Sequence, residues 1–513
     1  MTMKVSHWVE DITEDMITKK KAPYVINSGM TTSGSPHLGT VCEFLYPSVI
    51  YSYLKSKGKE AKFYFEIDIM DAFDAIPSNL SNYEKELKSE LGKPLCNVVD
   101  PYGCCNSYGE HFLNEALEII KELNIEMPEI LKAQDLYSKG LYDKYAFLYF
   151  EKIELVKEIV ETTSMRKLQK DWSPIMPICE KCGKISTTRV ILFDVDSGYF
   201  EYICDKDMKY TKGCNHKSSD YIKNHNYKIT WRLDWPARQN FLNVSIEGAG
   251  VDHMTKGGSW DTAKVIHEKI FETDPPIAYR YGFIMLEGKK YSKSKGKGYT
   301  VKELLEIMPS EVLKYALLRP DIQENIEFKD TNIFFLTLIE EYSSSLELLE
   351  KIENNEVRFE ELKRNQQKNV AAIKLSGKYK FKPSLQELFI YKSLYDSWEL
   401  IEKMIGNIDK KLKNYVDSWK QKNLIPEDYV FEYKPNKNAH ALVKQFFSSL
   451  PNDSDPLTIH NKVFEFSKEQ NMNPAEMFKL LYKDIIGKDK GPKFGKLVYA
   501  IGIERIKKDI EVN

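Results

Sequence analysis

Two stretches of this chain combine residue types suited to polyphosphate chemistry. The first runs from Tyr24 to Thr40, where a β-branched run, Tyr24-Val25-Ile26, gives way to a Gly/Ser/Thr loop and then to a helix beginning near His37. Glycines at Gly34 and Gly39 would let a ligand approach the backbone. The free N–H groups of a helix N-terminus favour a polyanion there, and His37 adds a donor where charge develops. The plain alternative is a glycine-rich connection in any doubly wound sheet, with a histidine that caps a helix. The second stretch, residues 289–298, holds Lys289, Lys290, Lys293, Lys295 and Lys297, with Ser292 and Ser294 between them and Gly296 and Gly298 at the end. Such a loop suits closing over a triphosphate, although a lysine-rich loop taken alone is usually a solvated face.

Between these stretches lie other chemically expressive groups. A second strand, Lys62 to Asp68, ends in carboxylates at Asp68, Asp71 and Asp74. Acids just past a strand's carboxyl end lie where open α/β sheets bind ligands, and a cationic substrate would want one; Asp74 reads better as a solvated loop residue. Cys179-Glu180-Lys181-Cys182 is a C-x2-C knuckle, followed by a hairpin-like stretch and then Cys204 and Cys214. Four thiolates suit a closed, structural zinc site without a catalytic vacancy, and His216 could replace one of them. Unpaired thiols are the alternative. Adjacent Cys104 and Cys105 are expected not to share a metal and, with Cys42 and Cys96, to be small buried residues. The run Trp231-Arg232-Leu233-Asp234-Trp235-Pro236-Ala237-Arg238 precedes Gly250, Asp252 and His253. A tryptophan wall can hold the stem or ammonium of a cationic ligand, Gly250 can pass under an adenine ring, and Asp252 can accept from ribose hydroxyls. Trp235 serves equally well as packing.

The elements that must position these groups follow from the pattern along the chain. With 513 residues, roughly three or four domains are expected. Hydrophobic content of 42%, charged content of 29% and a net charge of −2 describe an ordinary soluble protein, so a nucleic-acid surface must be local. No run approaches the ~20 apolar residues of a membrane span, and the first residues lack a signal-peptide core, so a cytoplasmic protein is expected. Eight cysteines then read as thiols or metal ligands. Residues 41–55 read as a helix that Pro47 should disturb, and residues 81–170 are mostly helical in pattern. From Thr300 onward the pattern is helical, with Val301, Leu304, Leu305 and Met308 on one side. Residues 361–384 carry seven Lys/Arg and one acid, with Tyr379 and Phe381 interleaved, which suits single-stranded RNA or a solvated loop.

Taken together, His37-Leu38-Gly39-Thr40 and, roughly 250 residues on, Lys290-Tyr291-Ser292-Lys293-Ser294 resemble the HIGH and KMSKS motifs of class I aminoacyl-tRNA synthetases. The sequence departs at Thr40, where the family has a second His, and at Tyr291, where it has Met. His7-Trp8, Gly29 to Gly34, Asp100-Pro101-Tyr102-Gly103-Cys104, the knuckle at Cys179, Trp231 to Arg238, Asp252-His253 and Gly257 to Thr262 extend the resemblance, over essentially the whole chain, to class I lysyl-tRNA synthetase. That resemblance implies an α/β fold: a Rossmann-type parallel-sheet catalytic domain with an inserted zinc-binding region and a C-terminal all-α helical cage. The corresponding division is 1–80 and 228–300 for the catalytic halves, 81–227 for the insertion with its zinc region at 173–218, 301–335 for a stem-contact module, and 336–513 for an anticodon-binding domain.

By the same resemblance the protein would activate L-lysine with ATP and Mg2+ and charge tRNA(Lys), acting as a monomer away from membranes, with Zn2+ structural. His37, Thr40, Lys290 and Lys293 would serve the triphosphate and its transition state, with Lys295 replacing Lys293 if the register differs. Gly34, Gly39, Ser292 and Ser294 would contact the nucleotide alongside Gly250 and Asp252. Gly29, Thr31, Trp231, His253 and Tyr281 resemble the amino-acid pocket, with an acid such as Asp68 for an ammonium. Competing readings are a glutamyl or glutaminyl enzyme, which would want arginines in its pocket, a small nucleotidyltransferase, and a non-catalytic RNA-binding relative.

Overall fold

The computed structural model describes residues 7–290, 299–395 and 397–512, the side chain of Lys290 excepted. Helix α1 (Trp8–Lys19) is followed by strand β1 (Tyr24–Met30), helix α2 (Leu38–Ser56), strand β2 (Ala61–Ile67) and, after a helical stretch, β3 (Glu129–Lys132). An insertion then folds as β4 (Ile175–Pro177), β5 (Thr188–Phe193), β6 (Tyr199–Cys204), β7 (Lys217–Tyr221) and β8 (Tyr227–Ile229). Strands β9 (Ile246–Gly250) and β10 (Ile277–Tyr281) return to the first sheet, and β11 (Ile284–Leu286), β12 (Lys289–Lys290) and β13 (Ile326–Phe328) form a small sheet of their own.

The main sheet runs β10-β9-β1-β2-β3, all parallel. Two successive strands extend it on one side of β1 and two later ones on the other, so the strand order reverses at β1/β9. Ligands of open α/β sheets bind outside the carboxyl ends of the strands at such a reversal. The fold is α/β, with the Cys179 to Cys214 cluster in the insertion and helices toward the C-terminus.

Three details differ from the expectations. Pro47 lies inside α2, which runs through it unbroken. A proline costs a helix roughly 3 kcal/mol, and the burial of Val41, Phe44, Leu45, Val49 and Ile50 along α2, with Phe44 stacked 3.6 Å from Phe65 of β2, outweighs it. Strand β3 adds an edge to the main sheet from within the stretch expected to be helical; four residues are too few to show a period. Strand β13 likewise interrupts the helical pattern after Thr300, pairing in parallel with β11.

The chain divides into two compact units. One comprises Met1–Leu305, Ser310–Asp330 and Ser344–Lys378; the other comprises Glu306–Pro309, Thr331–Ser343 and Tyr379–Asn513. The junctions expected at 80, 227 and 300 therefore fall inside the first unit. The second unit is helical, with Val443, Phe446, Ile459, Val463, Leu481, Ile485 and Phe494 in its core. Two of its helices begin at Asp455-Pro456 and Asn473-Pro474, where the side-chain oxygen accepts from the first turn and the proline occupies a position needing no N–H. Among the described residues no helix is long and apolar enough to cross a membrane.

Candidate active site and metal centres

At the carboxyl ends of β1, β2, β9 and β10 lies a cavity of about 480 Å3. Gly29, Thr31, His37, Gly39 and Thr40 line it from the end of β1, the loop after it and the start of α2, Asp68 and Asp71 from beyond β2, Gly250, Asp252 and His253 from the end of β9 and just past it, and Tyr281 from the end of β10. All belong to the first unit.

His37 is the N-cap of α2. Its Nδ1 accepts from the Thr40 N–H at 3.1 Å, while its own N–H donates to Thr40 Oγ1 at 3.3 Å, a reciprocal capping box. A neutral imidazole that accepts at Nδ1 carries its proton on Nε2, so His37 offers an N–H donor beside the orphan amides of the helix. Thr40, in the place of the motif's second histidine, holds that tautomer. Gly39 is required for the same reason: a Cβ there would come within 2.8 Å of the His37 ring.

Deeper in the cavity the walls are charged. Arg238 is fully buried; its Nη1 lies 2.6 Å from Glu66 Oε2 and 3.9 Å from Asp234 Oδ1, and its Nη2 lies 3.5 Å from Glu247 Oε1. Burial pushes the Glu66 carboxyl upward and Arg238 beside it acts the other way, while the surrounding carboxylates outweigh burial at Arg238 and hold it protonated. Glu247 also accepts from Asn27 Nδ2 at 2.8 Å and Gln239 Nε2 at 2.7 Å, and Asp234 from Tyr137 and Tyr142. Lys228, on β8 of the insertion, is buried and reaches Asp68 at 2.6 Å and Asp71 at 3.3 Å. Glu43, on α2, accepts from the Tyr281 hydroxyl and, at 3.2 Å, from Ser28 Oγ. Burial raises its carboxyl to about 7 against the pull of those two hydroxyls.

An aromatic wall faces these acids. Trp231 and Trp235 stack with centroids 5.5 Å apart, and the His253 ring stands 5.9 Å and 6.0 Å from them. Ser259 Oγ ties the wall together, 2.8 Å from His253 Nδ1 and accepting from Trp231 Nε1 at 3.3 Å. Trp235 is buried yet lines the cavity, so it packs and faces a ligand at once.

Most residues singled out in the sequence therefore surround one space: Gly29, Thr31, His37, Gly39, Thr40, Asp68, Trp231, Gly250, Asp252, His253 and Tyr281. Gly34 is not in the lining; a Cβ there would meet the Pro77 ring at 3.3 Å. Lys290 ends β12, which pairs with β11, while Ser292, Lys293, Ser294 and Lys295 lie outside the described residues. Sequence reasoning passed over Glu43, Glu66, Lys228, Arg238 and Glu247 as site residues. Lysine and arginine inside strand or helix patterns read as solvated positions, and nothing local shows that their partners come from other strands.

Two side-chain clusters could hold metal ions. In the first, Cys179 and Cys214 sulfurs are 3.7 Å apart, as are those of Cys182 and Cys204. A tetrahedron with Zn–S near 2.3 Å has edges of about 3.8 Å, so these spacings fit a zinc ion. His216 Nε2 donates to Glu180 Oε1 at 2.8 Å, leaving the four sulfurs as the cluster. The second cluster corrects an expectation. Cys104 is exposed and Cys105 half-buried, not buried packing residues, and with Asp100 and His111 they present ligand atoms within 4.8 Å of one another. Cys104 Sγ lies 3.4 Å from Cys105 Sγ and 3.2 Å from His111 Nδ1, which is 3.4 Å from Asp100 Oδ1. Adjacent cysteines can converge because Asp100 Oδ2 accepts from both their backbone N–H groups and bends the loop around itself.

A family model described as tRNA synthetases class I (K) matches residues 6–376. The lysine–tRNA ligase of Archaeoglobus fulgidus is 31% identical over 519 residues, covering 98% of this chain and 99% of that protein. The lysine–tRNA ligase of Methanocaldococcus jannaschii is 31% identical over 535 residues, covering 97% and 98%, and that of Thermoplasma acidophilum 28% over 527 residues, covering 98% of each. With a match over most of its length and a cavity at the sheet's reversal, the chain belongs to the class I lysyl-tRNA synthetases.

Proposed function

We propose that the protein is a lysine–tRNA ligase that activates L-lysine with ATP and transfers it to the 3′ end of tRNA(Lys). The observation that carries this reading is the cavity itself: its lining combines a helix N-terminus bearing a histidine donor with a set of carboxylates and indoles. In the first step the lysine carboxylate attacks the α-phosphorus of ATP and pyrophosphate leaves, giving lysyl-adenylate. In the second, the terminal adenosine's 2′-hydroxyl attacks the mixed anhydride and AMP leaves. Neither step needs a covalent enzyme intermediate, so the protein's contribution is placement and charge stabilisation.

His37 Nε2–H and the first amides of α2 are suited to the phosphate oxygens, with Thr40 fixing the imidazole. Lys290 and Lys293, or Lys295, with Ser292 and Ser294, supply cations and hydroxyls to the triphosphate. Gly250 and Asp252 take the adenosine, and Gly29, Thr31, Trp231, His253 and Tyr281 surround the amino acid. Magnesium accompanies the triphosphate. Zinc in the Cys179–Cys182–Cys204–Cys214 cluster is structural, since four sulfurs leave no open position. The Asp100–Cys104–Cys105–His111 cluster, with two thiols, an imidazole and a carboxylate, suits the same ion. The helical second unit and the basic residues from Lys363 to Lys382 would contact tRNA, and the protein would act as a monomer in the cytoplasm, where its substrates meet.

A glutamate-charging enzyme would keep an arginine free for the substrate carboxylate; in the described lining Arg238 is already engaged by Glu66 and Glu247. The test is amino-acid-dependent ATP–pyrophosphate exchange across all twenty amino acids, with and without tRNA. Exchange restricted to lysine is expected. Exchange with glutamate, or none with any amino acid, overturns the reading.

A further inference from the structure

A second cavity, of about 500 Å3, lies in the helical unit between the helix Trp398–Ile405 and the helix Lys410–Gln421. Trp398 lines it from the first helix, Asn407 from the connecting loop, and Lys410, Lys413 and Asn414 from the second. The indole is held in place by the protein alone. Its Nε1–H donates to Asp417 Oδ2 at 2.8 Å, and the Lys392 ammonium stands 4.7 Å from the ring centroid and 3.5 Å from Asp417 Oδ1. Lys392 is only 7% exposed, so a buried cation backs a half-buried ring that lines the cavity.

The rest of the lining sets the chemistry of a ligand. Both carboxylates in the wall are engaged by the protein: Asp417 by Trp398 and Lys392, and Asp409 by the Lys411 and Leu412 amides, from which it accepts at 2.9 Å and 3.2 Å. Lys413 is shared with Glu402 at 2.8 Å, and Lys410 is exposed. The cavity therefore offers an aromatic plane, the primary amides of Asn407 and Asn414, and cations at the positive end of a 12-residue helix. A flat, anionic molecule with hydrogen-bonding edges fits that set, and a nucleotide is such a molecule.

A neighbouring segment favours a strand over a free nucleotide. Within the basic, aromatic stretch of residues 361–384, the part from Tyr379 to Lys382 adjoins the cavity. The Tyr379 hydroxyl donates to Asp409 Oδ1 at 3.5 Å, and its ring stands 6.2 Å from that of Tyr415 on the helix Lys410–Gln421 and 5.1 Å from that of Phe381. Lys380 and Lys382 alternate with these rings and are exposed. A mononucleotide would need only the cavity. Alternating rings and cations beside it suit the bases and phosphates that flank an inserted base. We propose that the cavity takes one base extruded from a single-stranded loop of the RNA substrate, stacked on Trp398, with the flanking strand along Tyr379 to Lys382; this rests on the tRNA-charging reading above.

The experiment is filter binding of an unmodified tRNA(Lys) transcript to the full chain, comparing native protein with Trp398→Ala, Trp398→Phe and Lys410→Ala. Trp398→Ala should raise the Kd about tenfold or more, the usual effect of losing one stacked base. Trp398→Phe, which keeps a stacking face, should recover most of the loss. Lys410→Ala should lower the slope of log affinity against log salt by about one, whereas Trp398→Ala should leave that slope unchanged. Transcripts carrying one abasic site at each unpaired position in turn then locate the base. At one position the abasic site should weaken binding to native protein and weaken binding to Trp398→Ala no further. A Kd within threefold of native in Trp398→Ala overturns the proposal. So does an abasic scan that is additive with Trp398→Ala at every position, since the ring would then act on the fold and not on a base. If Trp398→Ala does not fold, Asn414→Ala and Lys410→Ala, both at exposed helix positions, decide instead, and native affinity in both overturns it. Absence of lysine-dependent pyrophosphate exchange in the native protein would sink the enzymatic reading, a separate result from the binding series.

Discussion

Arg238→Met tests the electrostatic reasoning about the cavity most directly. The guanidinium is buried, 2.6 Å from Glu66 and 3.5 Å from Glu247, and methionine fills most of its volume without charge. Breaking a buried pair from one side costs about 3–5 kcal/mol because the remaining charge is uncompensated. Glu247 keeps its bonds to Asn27 and Gln239, so Glu66 is the group left exposed to that cost. Its escape is to take up a proton. For a carboxyl whose unfolded pKa is near 4.3, that costs about 5 kcal/mol at pH 8 and about 1.6 kcal/mol at pH 5.5, at 1.36 kcal/mol per unit. The sign follows: a carboxyl raised in the folded state binds a proton the unfolded chain does not, so the variant's deficit shrinks as pH falls toward 4.3. Urea unfolding followed by tryptophan fluorescence, with Trp231 and Trp235 alongside, should show the deficit at both pH values. Arg238→Met/Glu66→Gln should recover all but about 1 kcal/mol at pH 8. A single-variant deficit under 1 kcal/mol at pH 8, or no recovery in the double variant, refutes the reasoning.

Other expectations are simpler to state. His37→Ala removes one transition-state donor and should slow lysine-dependent exchange about 100-fold with the lysine KM little changed; a rise confined to KM would reassign the residue to ground-state binding. Lys293→Ala should likewise slow activation without altering the lysine KM, and unchanged activation would transfer the role to Lys295. Elemental analysis of the native chain should find zinc in both clusters. Cys182→Ser should lose one zinc and open residues 173–218 to protease, and Asp100→Ala should lose the other; a metal-free chain that resists protease equally would remove both centres.

How much of this was legible in the sequence depends on how local each signal is. The strand–loop–helix at Tyr24 to Thr40 could be read because its information is contiguous: β-branched residues, a Gly/Ser loop and a cap follow one another. The cysteine knuckle was legible for the same reason, since a C-x2-C spacing nearly fixes two sulfurs toward one ion. Strand β3 and strand β13 were not, being too short for a period and defined by partners far along the chain. The convergence of Cys104 and Cys105 with Asp100 and His111, and the exposure of Cys104, were not legible because adjacency in sequence argued against shared ligation. Only the fold reveals that Asp100 bends the backbone so that both thiols turn toward His111.

What the chain determined by itself was a set of chemical parts with short-range grammar: a phosphate-seeking helix start, a sulfur cluster, and an indole-rich segment. Tertiary structure decided which cation or hydroxyl meets each carboxylate of the cavity. That choice belongs to Lys228 and Arg238, whose reach across strands brings a buried cation to Asp68 and to Glu66. Charge compensation is a property of distances between remote residues, and no local pattern encodes it.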